Sequence, residues 1–119
     1  MNFPSFKHQF GFEDRLAEAK RVLSKYPDRV PIICERSLIS THDCPVIDKR
    51  KYLVPRTYTM GEFLFVIRKR LKLPPEKAIF LFVNDIIPST TSVIGIVYQT
   101  YKDADGYLYM SYSQENTFG

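Results

Sequence analysis

Asp48-Lys49-Arg50-Lys51-Tyr52-Leu53-Val54-Pro55, followed after a short turn by Thr59-Met60-Gly61-Glu62-Phe63-Leu64-Phe65-Val66-Ile67-Arg68-Lys69-Arg70, is the stretch that decides the fold. The charged run leads into a short apolar strand, Tyr52-Leu53-Val54, which stops at Pro55. Thr59 and Glu62 stand three apart, the spacing of a capping box. The helix this predicts places Phe63, Ile67 and Leu71 on one stripe with Leu64 beside it. Arg68-Lys69-Arg70 in its last turn complements the negative end of the helix dipole. Pro74-Pro75 forbids continuation. A basic strand therefore lies next to a basic amphipathic helix.

Working outward, Ser5–Phe10 reads as a short helix with Phe6 and Phe10 at i and i+4. Gly11 interrupts it. The stripe Phe12, Leu16, Ala19, Leu23, with Val22 alongside, predicts a second helix over Phe12–Lys25. Val30–Glu35 is β-rich, and Pro31 requires a strand start or edge because it has no N–H to donate. Ser37–Val46 reads as a loop closing a wide hairpin onto Tyr52-Leu53-Val54. Ile79–Val83 is apolar at every position, the pattern of a strand buried on both faces near the middle of a sheet. Asn84-Asp85 and Asp105-Gly106 are turn signals. Ser89–Ser92 is rich in N-cap residues before a short helix over Val93–Tyr98, weakened by Gly95. Tyr107–Tyr112 alternates, with Leu108 and Met110 on one face and Tyr107 and Tyr109 on the other. Without the first two helices the order is β-β-α-β-α-β. That is an α+β chain with the element order of a ubiquitin-like grasp, a mixed sheet wrapped around one helix.

The composition agrees. The 119 residues suffice for one domain with a core, and 45% hydrophobic and 14% aromatic content excludes disorder. No apolar run approaches the roughly 20 residues of a bilayer span, and Met1-Asn2-Phe3-Pro4 lacks the charged-then-apolar pattern of a signal peptide. Cys34 and Cys44 make no disulfide framework and are expected as reduced thiols in a cytoplasmic protein. The net charge of +4 is unevenly spread: eight of seventeen Lys and Arg lie in Lys49–Lys72, while the chain from Asp103 onward has three acids and no base. The basic face points to an acidic partner, whether peptide, membrane surface or nucleic acid; the same charges also suit a solvated helix end. His42-Asp43-Cys44 has the residue types of a catalytic triad, but neighbours in one loop rarely converge as nucleophile, base and orienter. His42 and Cys44 lack the second ligand pair a zinc site needs. No metal, cofactor or catalytic activity is expected.

Lys25-Tyr26-Pro27-Asp28-Arg29-Val30-Pro31, Lys51-Tyr52-Leu53-Val54-Pro55, Ile67-Arg68-Lys69-Arg70, Phe82-Val83-Asn84, Asp105-Gly106-Tyr107-Leu108-Tyr109 and Phe118-Gly119 together resemble the signature segments of the GABARAP-type autophagy ubiquitin-like modifiers. The resemblance implies a helical extension over 1–26 packed on a ubiquitin-like domain over 27–119, the two forming one compact unit. It implies conjugation through Gly119 to phosphatidylethanolamine by activating and conjugating enzymes, with a cysteine protease for processing or delipidation. A soluble cytoplasmic monomer would thereby move to autophagosomal membranes and recruit cargo receptors and adaptors carrying an aromatic-x-x-aliphatic motif. The resemblance maps the aromatic pocket to Glu18, Val22, Pro31, Ile33, Lys49, Lys51, Leu53 and Tyr107. It maps the aliphatic pocket to Tyr52, Val54, Pro55, Tyr58, Phe63, Val66 and Arg70. Three features depart from the family pattern: Tyr58 where an aliphatic residue is usual, Gly106 where an aromatic one is frequent, and a longer Ser37–Val46 loop. The competing reading is an unconjugated basic module for tubulin (microtubules) or RNA; nucleic acid is the less favoured partner.

Overall fold

In the computed structural model, residues 4–40 and 44–114 are described. Four strands, β1 (Arg29–Arg36), β2 (Lys51–Pro55), β3 (Phe80–Phe82) and β4 (Leu108–Ser113), form one sheet in the order β2-β1-β4-β3. β1 runs antiparallel to β2 and parallel to β4, and β3 is antiparallel to β4. Helices α1 (Phe6–Gln9) and α2 (Phe12–Lys25) precede the sheet; α3 (Met60–Leu71) and α4 (Ile94–Tyr101) follow β2 and β3. The larger core joins Val30, Ile32, Tyr52, Val54, Leu108 and Met110 of the sheet to Met60, Phe63 and Ile67 of α3 and to Ile94, Val97 and Tyr98 of α4. A smaller core on the opposite face joins Ile33 and Tyr107 to Phe6 and Ala19. This is a ubiquitin-like grasp around α3, carrying two N-terminal helices.

Pro31 sits inside a central strand, and the register explains why that is tolerated. The Cys34 N–H donates to the Arg50 carbonyl at 2.8 Å, so by alternation Pro31 faces away from β2 at the Pro31↔Leu53 pair. On that other side the ladder to β4 begins only at Ile32↔Leu108, one residue later. No ladder bond is lost.

The run Ile79–Val83 lies at the end of the described sheet, not in its middle: among the described residues β3 pairs with β4 alone. Ile79, Leu81 and Val83 enter the larger core, while Phe82 is buried outside it. Uniform apolarity here reports cover on two faces, which an edge strand also has when loops and helices overlie it. At Asn84 and Asp85 φ is +49° and +64°, the pair of positive values a tight reversal between Val83 and Ile86 requires.

The capping box of α3 is complete: Thr59 Oγ1 accepts from Glu62 N at 3.1 Å, and Glu62 Oε1 accepts from Thr59 N at 3.0 Å. At the C-terminus Lys72 adopts φ +57°, and Arg68 bonds the carbonyls of Lys77 and Pro74, tying down the following loop. The Ser89–Ser92 segment does not cap α4 with a side chain; its N-cap is Val93. Instead the first turns of α3 and α4 satisfy each other through backbone. Met60 N and Gly61 N donate to the carbonyls of Ser92 and Thr90 at 2.8 and 2.9 Å, while Ile94 N and Gly95 N donate to Tyr58 and Arg56 carbonyls at 2.8 and 3.0 Å, the latter groups leading into α3. With its start supported in this way, α4 continues to Tyr101, three residues past the expected end.

The stripe expected of α2 is only partly its buried face. Phe12 is 42% exposed and Leu16 and Leu23 are half-buried, whereas Ala19 and Arg15 are buried. Arg15 Nη1 meets Asp105 Oδ2 at 2.5 Å, Tyr109 OH donates to the same oxygen at 2.5 Å, and Tyr107 N donates to Asp105 Oδ1 at 2.8 Å. Arg15 Nε also reaches the Phe10 carbonyl at 2.9 Å. Burial opposes the Arg15 charge, but the bonds to Tyr109 and Asp105 outweigh it and raise the guanidinium pKa. Burial and the bond to Asp105 likewise push the Tyr109 hydroxyl up. The cluster fastens the helical pair to the turn before β4. α1 is held by Phe6, whose N–H donates to Glu35 Oε2 at 2.9 Å and whose ring packs on Tyr107. The loop after β1 is drawn back onto the sheet by the Tyr112 hydroxyl, which bonds Ile47 N and the Pro45 carbonyl, both at 2.7 Å.

Three stability changes follow from this packing. An alanine Cβ at position 95 would stand 3.1 Å from the Arg56 carbonyl and 3.2 Å from its Cβ. Overpacking of that kind costs about 1–3 kcal/mol, more than the roughly 1 kcal/mol that alanine gains over glycine inside a helix. Gly95→Ala is expected to lower the urea midpoint; a raised midpoint would contradict the close approach. Asp105→Ala strands the Arg15 charge in a buried site and is expected to cost about 3 kcal/mol or more in urea unfolding, against about 1 kcal/mol for Tyr109→Phe.

Candidate functional site

β2 bonds only β1, so its outer edge is unpaired among the described residues. Lys51 and Leu53 lie at the register positions whose backbone groups point away from β1. The Leu53 carbonyl meets only the Arg29 guanidinium, at 3.4 Å. The alternation of side chains then divides the neighbouring surface in two.

Toward α2, Lys51 and Leu53 stand opposite Ile33 and Pro31. Pro31, Ile33 and Tyr107 are buried, and Leu53, Glu18 and Val22 are half-buried. Lys51 Nζ crosses to Glu18 Oε1 at 2.6 Å, joining β2 to α2 over this apolar floor. Burial, then the neighbouring Glu18 carboxylate, raises the Tyr107 hydroxyl pKa, so the phenol stays neutral. Phe6 was not anticipated as part of this region, yet it packs beneath it against Tyr107, with Lys51 Nζ 5.9 Å from its ring centroid. Its only sequence signal was the i, i+4 pair with Phe10.

Toward α3, the Tyr52 ring meets Phe63 edge-on at 5.4 Å, and its hydroxyl donates to the Lys49 carbonyl at 2.6 Å. Lys49 Nζ lies 5.3 Å from the Tyr52 ring centroid. Val54 is buried, and Pro55, Tyr58 and Val66 are half-buried. Phe63 exposes no surface: it supports this side from beneath as core. Arg70 Nε pairs with Asp48 Oδ1 at 2.9 Å, and that contact lowers the Asp48 pKa. Lys51 and Arg70 thus both carry intramolecular acids at the surface, where solvent screening makes such pairs weak and readily exchanged. Lys49 has no carboxylate partner among the described residues.

The remaining chemistry is inert or out of view. Cys34 is fully buried and its pKa is pushed up by burial, which keeps it a thiol. Cys44 is buried, with its carbonyl accepting from Arg36 at 2.8 Å. His42 and Asp43, and Phe118 and Gly119 at the other end, lie outside the described residues.

Known proteins share this arrangement. The family model described as "Autophagy protein Atg8 ubiquitin like" matches residues 14–119. "Autophagy-related protein 8d" of Arabidopsis thaliana is 56% identical over 119 residues, covering 100% of this chain and 98% of the relative. "Autophagy-related protein 8" of Mycosarcoma maydis is 55% identical over 115 residues, covering 97% and 96%. Plasmodium falciparum Atg8, solved in complex with a Plasmodium falciparum Atg3 peptide, superposes with a TM-score of 0.86 at 41% identity over 95% of this chain and 98% of that one. With a mixed sheet around one helix, two helices in front of it and likeness of this extent along nearly the whole chain, the protein belongs to the Atg8 family of autophagy ubiquitin-like proteins.

Proposed function

We propose that this chain is a lipid-conjugated modifier and adaptor, whose β2 edge receives short aromatic-x-x-aliphatic segments as an added strand. The observation that carries this reading is the unpaired edge at Lys51 and Leu53, set between an apolar floor on the α2 side and another on the α3 side. Strand addition needs outward backbone groups for affinity and side-chain sites on alternate faces for specificity, and both are present here. The aromatic residue of the segment goes over Pro31, Ile33 and Leu53 between Glu18 and Val22. The aliphatic one goes over Val54, Pro55, Tyr58 and Val66. Acids flanking the motif displace Glu18 from Lys51 and Asp48 from Arg70, or use Lys49, which has no carboxylate partner among the described residues, and act mainly on the association rate.

In this reading residues 1–26 are a helical extension of a ubiquitin-like domain over 27–119. The chain is itself a substrate: an activating enzyme uses a nucleoside triphosphate to convert the Gly119 carboxylate to an acyl phosphate ester, a partner thiol displaces the phosphate leaving group to form a thioester, and the amine of phosphatidylethanolamine displaces that thiol to form the amide. A conjugating enzyme as partner agrees with the Atg3 peptide bound to the Plasmodium relative. No described helix is long and apolar enough to cross a membrane. Attachment would rest on the acyl chains, at about 0.8 kcal/mol per buried CH₂, and would bring the protein to autophagosomal membranes.

Peptides carrying the motif with upstream acids are expected to bind at micromolar strength and to shift the Lys51, Leu53 and Arg70 amides in NMR titrations. Shifts confined to Asn84–Thr91, or polyanion binding with steep salt dependence and no peptide binding, would favour the tubulin or RNA module instead. Lys51→Ala and Arg70→Ala are expected to weaken the peptide several-fold while moving stability by about 0.5 kcal/mol or less; a large drop in melting temperature would make them structural. Deleting Gly119 is expected to abolish the lipid-shifted gel band and membrane recovery during starvation, and persistence of both would exclude conjugation through this residue.

A further inference from the structure

A second recess lies away from the β2 edge, between α2, α4 and the turn at 103–106, with a volume of about 350 Å³. Its floor is apolar: Leu16, Ala19 and Leu23 of α2 face Tyr98 of α4. Gly106 forms one wall. There φ is +94°, and any Cβ would stand 3.0 Å from the Ala19 Cβ, so a side chain at this position would have to push α2 away. The Tyr98 hydroxyl donates to the Gly106 carbonyl at 2.7 Å and pins that wall. The recess is therefore built from ordered groups.

Charge decides what it takes. Two acids line it, and both are already neutralised: Asp103 by Lys7 at 2.6 Å and Asp105 by Arg15 at 2.5 Å. Two lysines line it, and both are exposed: Lys20 and Lys102 have no carboxylate partner among the described residues, and Lys102 Nζ merely overlies the Tyr98 ring at 5.5 Å from the centroid. An apolar recess between two unpaired cations fits an acidic peptide that inserts one aromatic or branched side chain. A planar anionic lipid surface fits less well, because the apolar groups lie at the bottom of a hollow and cannot reach into a bilayer.

We propose that this recess is a second docking site, for an acidic segment of a partner protein, usable while the β2 edge is occupied. At about 100° per residue, the flank of α2 carrying Leu16, Lys20 and Leu23 lies roughly 150° around the helix from the flank carrying Glu18 and Val22. The two segments would thus meet different sides of α2, and one chain would bridge two binding partners.

The test uses the full chain and the capped peptide Asp-Glu-Phe-Glu-Asp in ¹⁵N NMR titrations, with and without saturating aromatic-x-x-aliphatic peptide. The expected result is shifts at Leu16, Lys20, Leu23, Lys102 and Gly106 under both conditions, lost when the central phenylalanine of the peptide is replaced by alanine. Lys20→Glu combined with Lys102→Glu is expected to weaken this peptide about tenfold, since two exposed ion pairs become repulsions. Ala104→Trp, which fills the recess from an exposed rim position, is expected to do the same. Both variants should keep the native amide spectrum and their affinity for the motif peptide, which separates failure here from failure of the β2-edge reading. Absence of shifts at the recess, equal binding of the alanine peptide, competition by the motif peptide, or shifts produced by phosphatidylserine vesicles and not by the peptide would each overturn the proposal.

Discussion

The register between β1 and β2 is the constraint on which the rest depends. With Cys34 bonded to Arg50 and Pro31 opposite Leu53, every alternate residue of β2 is committed: Lys51 and Leu53 to the α2 side and the open edge, Tyr52 and Val54 to the α3 side. A slip of one residue would put Tyr52 outside and Lys51 in the core. Pro31 belongs to the same constraint, because only one phase of the ladder leaves its missing N–H unneeded. The register holds because both faces have something to lose. Tyr52 packs edge-on against the buried Phe63 on one side, and on the other Ile33 joins Phe6, Ala19 and Tyr107.

Much of this was legible because local chemistry and tertiary structure agree. Thr59 and Glu62 announced the start of α3, and the alternation of Tyr107–Tyr112 announced which residues of β4 face each core. What periodicity missed was set by long-range contacts. The α2 stripe gave no place to Arg15; its burial follows from Asp105, ninety positions away. The run Ile79–Val83 carried no information about which strand would occupy its other edge. The Ser89–Ser92 hydroxyls suggested side-chain capping, while the actual partners of α4 are carbonyls, which every residue has and no sequence pattern marks. Of the candidate site, the strand edge and its basic character could be read directly. The division into supporting core (Phe63, Ile33, Pro31) and accessible rim (Lys51, Leu53, Val66) needed the packing.

The two cores serve different ends. The α3 side gathers most of the large apolar residues. The α2 side is smaller and leans on a buried ion pair, whose directional bonds orient the helices more than they add stability. The flank of α2 carrying Glu18 and Val22 and the flank carrying Leu16, Lys20 and Leu23 are both positioned through that second core.

The reciprocal bonding of α3 and α4 has a dynamic meaning. Because each helix start supplies the partners of the other, neither can fray without stranding donors on its neighbour. The two ends are therefore tied to each other, although some thirty residues separate them in sequence. A displacement of the backbone at Tyr58 thus removes the acceptor of the Ile94 N–H, so the segment leading into α3 and the start of α4 share their hydrogen-bond accounting.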